Sequence, residues 1–177
     1  MNTPLHHKEN TKNSFKCAIL TISTSRFEKY GNIDRPERAE DASGKLIWGM
    51  MKVQGSEIVL YELVPDKIEN IRESFKRALY SEADVIISTG GTGLSPSDVT
   101  IEAVNPFFEK DMPGFGELFR YKSLEQVGNS VMLTRAVAGV ARRKVIFCLP
   151  GSPNAVKLAI ELILPEMGHL IKHVMGK

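Results

Sequence analysis

Cysteine is nearly absent from this chain, and so are tryptophan, long apolar runs and any excess of one charge. Cys17 and Cys148 are the two cysteines among 177 residues, and neither stands in a CxxC or CxxH pair. A disulfide framework and a cysteine-built zinc site are therefore excluded. Both lie in apolar runs, CAILTI and VIFCLP, and read as buried, reduced thiols of a cytoplasmic protein. No apolar stretch approaches the roughly 20 residues of a membrane span. The 23 Lys and Arg nearly balance the 21 Asp and Glu, leaving a net charge of +2. That balance carries no footprint of a dedicated nucleic-acid binder. The four histidines lie at the two ends, so no Ser-His-Asp or Cys-His set assembles from the pattern. The 14 glycines and nine prolines are too few and scattered for a low-complexity chain.

What remains has the makings of one ordinary globular domain. A polar arm, 1–14, precedes a folded domain over 15–177, with no repeat and no dividing linker. Strands are expected over 16–23, 57–64, 85–89 and 144–149, from short apolar runs rich in Ile and Val. Helices are expected over 43–54, 66–82, 100–107, 115–125 and 154–163. Pro165 is expected to open a last helix reaching 174. The charged stretch 24–42 reads as a long loop, and 133–139 is ambiguous. Strands alternating with helices predict a three-layer α/β domain with a mostly parallel sheet. Ligands of such sheets bind beyond the carboxyl ends of the strands. The loops after each strand are therefore where function is sought.

The strongest local signal is STGGTGLSPSDVT, Ser88 to Thr100. A buried strand runs into Thr89-Gly90-Gly91-Thr92-Gly93, where glycines permit positive φ and close approach to a ligand. Successive N–H groups of such a turn suit phosphate oxygens. A tight connection with no ligand fits the glycines equally well. The turn is neither a P-loop, which needs Gly-Lys-Ser/Thr, nor a dinucleotide fingerprint, since Pro96 stands where the third glycine belongs. Asp66 and Asp98 follow two of the strands and reach the same sheet edge, where paired carboxylates suit Mg²⁺ bound with substrate phosphates. Asp66 alone reads first as a helix cap, because Asp66-Lys67-Ile68-Glu69 has capping-box spacing. Ser43, within Asp41-Ala42-Ser43-Gly44, stands at a helix start that is a cap or a phosphate site. Pro150-Gly151-Ser152-Pro153-Asn154 is a rigid turn whose Ser152 or Asn154 faces a ligand or caps a helix. His169 and His173 lack the acid of an HExxH pattern and read as a solvated helix face.

Together these pieces resemble the MoaB/MogA family of molybdenum cofactor biosynthesis proteins, in its MoaB-like branch. The resemblance covers nearly the whole chain. It rests on His7-Lys8, DASG at 41–44, VPD ending at Asp66, TGGTG at 89–93, SDVTIEA at 97–103, MPGFGELFR at 112–120, LTRAVAG at 133–139 and LPGSPNAV at 149–156. It implies a three-layer α/β fold and a homotrimer or hexamer. It implies binding of molybdopterin, whose terminal phosphate attacks the α-phosphorus of Mg·ATP to give adenylylated molybdopterin and pyrophosphate. Asp66 and Asp98 then match the metal and catalytic positions. Thr89, Gly90, Gly91, Thr92, Gly93, Ser43, Gly151, Ser152 and Asn154 fall in the molybdopterin and phosphate pocket. The nucleophile belongs to the substrate, so a missing nucleophile set is what this chemistry expects. A non-catalytic molybdopterin-binding partner of the same pathway is the alternative. One departure concerns Ser23-Thr24, where relatives usually carry Ser-Asp.

Overall fold

The computed structural model describes residues 14–176. The expected arm over 1–14 falls outside them except for Ser14, which donates to the Gly55 carbonyl. Six strands form one sheet: β1 (Lys16–Ile22), β2 (Glu57–Val64), β3 (Val85–Thr89), β4 (Lys110–Asp111), β5 (Val137–Ala141) and β6 (Lys144–Leu149). Their spatial order is β2-β1-β3-β6-β5-β4. The first four of that order run parallel, and β5 and β4 complete the sheet antiparallel. The expected mostly parallel sheet is the one found.

Six α-helices flank it: α1 (Thr24–Tyr30), α2 (Ala42–Val53), α3 (Ile68–Tyr80), α4 (Thr100–Val104), α5 (Pro113–Val127) and α6 (Pro153–Val174). Side-chain alternation along the parallel strands splits the interior into two cores. Cys17, Ile19, Val85, Ile87, Val145 and Phe147 face α2, α5 and α6. Ala18, Leu20, Ile86, Ile146 and Cys148 face α3 and α4. Phe147 packs edge-on to Phe115 at 5.0 Å between ring centroids. Both cysteines are free and buried, and burial pushes the Cys148 thiol up to about 12. Among the described residues, no helix is long and apolar enough to cross a membrane.

Three expectations need correction, and one ambiguity is resolved. The loop over 24–42 contains α1 and a 3-10 turn, Pro36–Ala39. No residue of α1 is buried, so TSRFEKY leaves no apolar periodicity to read. The helix expected from Asp66 starts at Ile68, with Lys67 at its N-cap position and no side-chain cap. The break at Pro165 is absent: α6 runs through it, because Ile160, Ile163, Met167 and Ile171 hold one continuous buried stripe against the sheet. The ambiguous stretch 133–139 divides into the end of a 3-10 turn (Gly128–Leu133) and the start of β5.

A buried carboxylate anchors the site's supporting helix. Asp41 is 1% exposed and caps α2 by accepting from the Gly44 N–H at 2.9 Å. It also accepts from Thr21 Oγ1 at 2.7 Å and from the Tyr61 hydroxyl at 2.8 Å. Burial, with that carboxylate beside it, pushes the Tyr61 hydroxyl well above its ordinary value. Of the two options for the DASG segment, the structure shows the cap.

At the opposite end of the sheet, β5 and β6 are joined by Arg142-Arg143, both in the left-handed region at φ 49° and 59°. Two-residue hairpin turns of this kind favour Asn-Gly, because side chains strain there. Arg142 stacks on the Tyr80 ring at 4.2 Å, whereas Arg143 makes no such contact. Arg143→Gly is therefore expected to raise the unfolding free energy by about 0.5–1 kcal/mol in urea denaturation. An unchanged or lower midpoint would show that the hairpin carries no strain at this position.

Candidate functional site

The chain runs outward from β1 to β2 and then returns to the other side of β1 as β3. The loops after β1 and β3 therefore diverge, opening a crevice at the carboxyl edge of the sheet. Gly90 and Gly91 cross it with φ of 98° and 62°. A Cβ on Gly90 would stand 2.2 Å from the Ile22 carbonyl oxygen. One on Gly91 would stand 2.4 Å from Thr100 Oγ1 and 2.6 Å from Asp66 Oδ1, and one on Gly93 would stand 2.6 Å from Asp98 Oδ2. The glycines thus allow the loop to lie directly on the two carboxylates. Their missing side chains would point at Asp66, Thr100 and Asp98, not outward to a ligand. Thr100 closes the turn from the far side: its N–H donates to the Gly91 carbonyl and its hydroxyl to the Gly90 carbonyl, both at 2.9 Å.

Asp66 and Asp98 are both half-buried. Asp66 Oδ2 accepts from the Thr24 N–H at 3.0 Å and the Thr24 hydroxyl at 3.1 Å. It therefore satisfies an orphan amide of α1, not of α3. The aspartate does cap a helix, but it is α1, within the stretch 24–42 expected as a loop, and not α3. Thr24, standing where the resembled family usually has Asp, is the partner that holds it. Asp98 Oδ2 accepts from the Ser95 N–H at 3.2 Å.

A cleft of about 410 Å³ lies over this loop. Gly90, Gly91, Thr92, Gly93, Asp98, Gly151 and Ser152 line it, together with Leu133, Thr134, Pro150 and Arg135. Asn154 is not among them. It lines an adjoining cleft of about 310 Å³ with Ser123, Gln126 and Ser130, and Thr134, Pro150 and Ser152 are common to both. Ser43 and Thr89 are buried behind the cleft wall. The Ser43 hydroxyl donates to the Gly151 carbonyl at 2.7 Å, and that of Thr89 to the Pro150 carbonyl at 2.9 Å. These two hydroxyls fix the Pro150-Gly151 turn. Ser152 caps α6 by accepting from the Ala155 N–H at 3.3 Å, and its side chain is exposed at the cleft mouth. A second hollow of about 410 Å³ lies at the β2 edge. Of its charged groups, Glu62 and Arg77 satisfy each other through two bonds of 2.7 Å, and Glu73 is the third.

Sequence reasoning passes over Arg135, although it stands in the LTRAVAG segment and lines the cleft. It is the one basic side chain lining the main cleft. No spacing rule links it to residues about 40 positions away, so only the fold reveals it. Arg135 holds the Glu102 carboxyl below the usual carboxylate range. The His169 and His173 ring nitrogens are 3.0 Å apart, and no cluster of three metal-ligating side chains exists among the described residues.

Divalent metal fits the donors present in a limited way. Mg²⁺ is usually held by one or two carboxylates plus waters and substrate phosphates. Asp98 lines the cleft, whereas Asp66 lies against Gly91 outside that lining, so the donors are one carboxylate at the cleft and a second beside the loop. A dedicated all-protein cage is not built here.

A glycine loop packed on Asp66 and Asp98, beside a cleft at the carboxyl edge of a mostly parallel sheet, places the chain among α/β domains that bind ligands at that edge. The comparisons with known proteins narrow this. Residues 18–169 match the family model described as "Probable molybdopterin binding domain". Molybdenum cofactor biosynthesis protein B of Bacillus cereus is 42% identical over 167 residues, covering 93% of each chain. Molybdopterin adenylyltransferase of Pyrococcus furiosus is 44% identical over 172 residues, covering 94% of this chain and 95% of that one. The crystal structure of a molybdenum cofactor biosynthesis protein B superposes with a TM-score of 0.84 at 40% identity, covering 96% of this chain and all of the other. The tungsten cofactor synthesizing protein MoaB of P. furiosus gives 0.82 at 40% identity, over 92% of this chain and 98% of that one. The chain belongs to the molybdopterin-binding MoaB/MogA family.

The Gly91 contacts generate a test of the loop. Gly91→Ala should displace the Asp66 carboxylate or open the loop, and it adds strain at positive φ. A destabilisation of about 1–2 kcal/mol is expected from chemical denaturation. Unchanged stability would mean that the loop is not packed on Asp66 and Thr100 as described.

Proposed function

We propose that the chain is a molybdopterin adenylyltransferase of molybdenum cofactor biosynthesis. The observation that carries the reading is the glycine loop with Asp66 on one flank and Asp98 on the other. The name and 44% identity of the P. furiosus relative support it. In the reaction, an oxygen of the molybdopterin phosphate forms a bond to the α-phosphorus of ATP. The bond from that phosphorus to the α–β bridging oxygen breaks, and pyrophosphate leaves. No protein nucleophile is needed.

The chain contributes alignment and charge. Backbone N–H groups of Gly91 to Gly93 and of the Gly151-Ser152 turn hold phosphate oxygens. Ser43 and Thr89 keep that turn fixed by bonding the carbonyls of Gly151 and Pro150. The adjoining cleft, with Gln126 and Asn154, offers amides for the pterin ring. Asp66 and Asp98 would hold the Mg²⁺ that accompanies ATP, which when bound would supply positive charge against the phosphates. Two phosphate-bearing anions otherwise repel, so holding them in line accounts for much of the rate.

The reading includes a cytoplasmic location and a symmetric homotrimer or hexamer. Supporting the assembly, α5 and the turn after it expose Tyr121 at 71% and Met132 at 82%, beside Leu118, Leu124 and Leu133. Exposed apolar side chains of this kind are what a subunit interface covers. Light scattering at micromolar concentration should give a multiple of three chains, and a monomer would contradict the assembly.

The chemistry is tested by incubating the protein with molybdopterin and Mg·ATP and detecting adenylylated pterin by mass. Binding without product would leave the non-catalytic partner role instead. Asp66→Asn retains an acceptor for Thr24 and should keep its melting temperature. Its turnover should fall on the order of a hundredfold, the scale of losing one electrostatic stabiliser in a closed site. Asp98→Asn should behave alike. Near-normal turnover in either variant would remove that carboxylate from the mechanism.

A further inference from the structure

The loop over 92–98 has an unusual mooring. Leu94, Ser95, Pro96 and Ser97 are exposed, and the loop's own bonds are local: the Ser95 N–H to Asp98 Oδ2, the Asp98 N–H to the Ser95 carbonyl, the Ser97 N–H to Ser95 Oγ and a bond between the Ser95 and Ser97 hydroxyls. Among the described residues, every hydrogen bond reaching 92–98 from outside comes from one side chain, Arg135. Its Nε donates to the Thr92 carbonyl at 2.9 Å and its Nη2 to the Asp98 carbonyl at 3.3 Å. These carbonyls are the two ends of the loop. The far side of the guanidinium bonds Glu102, at 2.5 Å from Nη1 and 3.4 Å from Nη2.

A guanidinium carries five N–H donors in a fixed plane. Four are committed here, one on Nε, one on Nη1 and two on Nη2, so the group is not a free hook for an anion. We infer that Arg135 is a positioning residue: its planar fork sets the distance between the Thr92 and Asp98 carbonyls, and so aims the Gly93 amide at a bound phosphate and sets where the Asp98 carboxylate stands for the cation that accompanies the nucleotide. Glu102 holds the fork from behind. Thr134, next to Arg135, lines both clefts, so the same residue ties the loop to the wall between them. The consequence for rate rests on the transferase reading, whereas the consequence for loop mobility does not.

Lysine keeps the charge but cannot bond two carbonyls and a carboxylate in one plane. Arg135→Lys therefore separates the fork from simple positive potential. Hydrogen exchange at the amides of 92–98 should quicken by about tenfold, the scale of one lost bond to a charged group. With Mg·ATP and molybdopterin, kcat should fall by about ten- to a hundredfold, as small misplacements near reacting groups do. KM for ATP should change by less than about threefold, because the phosphate contacts themselves remain. Melting temperature should move little, since Arg135 lies at the surface of the cleft and not in either core. Glu102→Gln weakens only the rear of the fork and should quicken loop exchange by a smaller factor. Wild-type exchange over 92–98 in a folded Arg135→Lys would overturn the inference. If Arg135→Lys fails to fold, unchanged exchange in Glu102→Gln overturns it. Normal turnover in Arg135→Lys, where the wild type is active, would also overturn it. A wild type that makes no adenylylated pterin would remove the transferase reading alone, and the exchange measurement would still decide the role of Arg135.

Discussion

The carboxyl edge of the sheet is organised around a contact that leaves no room for a Cβ. The backbone of Gly90 passes over the Ile22 carbonyl, and that of Gly91 passes over Asp66 and Thr100. This close approach joins the ends of β1, β2 and β3 into one surface. It places Asp66 beside the loop while Thr24 holds the other oxygen of its carboxylate. It also brings Gly151 within 3.3 Å of Gly90, measured from where a Cβ would stand, so the turn after β6 closes the same surface. The Gly90 N–H donates to the Leu149 carbonyl at 3.0 Å and completes the join. The cleft is the consequence of this packing.

The architecture was legible wherever burial wrote a period into the sequence. The strands over 57–64, 85–89 and 144–149 match β2, β3 and β6, since two-sided burial gives continuous apolar runs. The helix of 68–80 announced itself through Ile71, Phe75, Ala78 and Leu79. Elements without a buried stripe were invisible. The half-buried helix α1 is held by Asp66 from the loop after β2, a contact no local pattern encodes. The two-residue β4 was illegible because pairing with β5, not propensity, makes it a strand. At Pro165 a local rule for breaking helices lost to tertiary packing, which is the expected direction of such conflicts.

The site was legible in composition and not in roles. The glycines, the two aspartates and the turn over 150–154 stood out, and the structure gathers them at one edge. Which of them face the cleft was not readable. Ser43 and Thr89 lie behind its wall, and Asn154 belongs to the neighbouring cleft. Arg135 was missed, because its partners are Thr92, Asp98 and Glu102, brought close only by the crossing of β3 and β5 around β6.

The site supplies little positive charge from side chains, and the one guanidinium in the cleft is already spoken for by carbonyls and Glu102. On the proposed reading, backbone amides are then the principal hosts of the phosphate. Their advantage is that they are fixed before the ligand arrives, so little reorganisation is needed. The central claim is thus one of place: the molybdopterin phosphate sits over Gly91 to Gly93 and the Gly151-Ser152 turn. Backbone amide NMR of the labelled protein, titrated with molybdopterin, addresses this most directly. The account predicts that the amides of Gly91, Thr92, Gly93 and Ser152 shift most. Shifts confined to the hollow at the β2 edge, around Asn70 and Arg77, with the glycine loop unmoved, would contradict it.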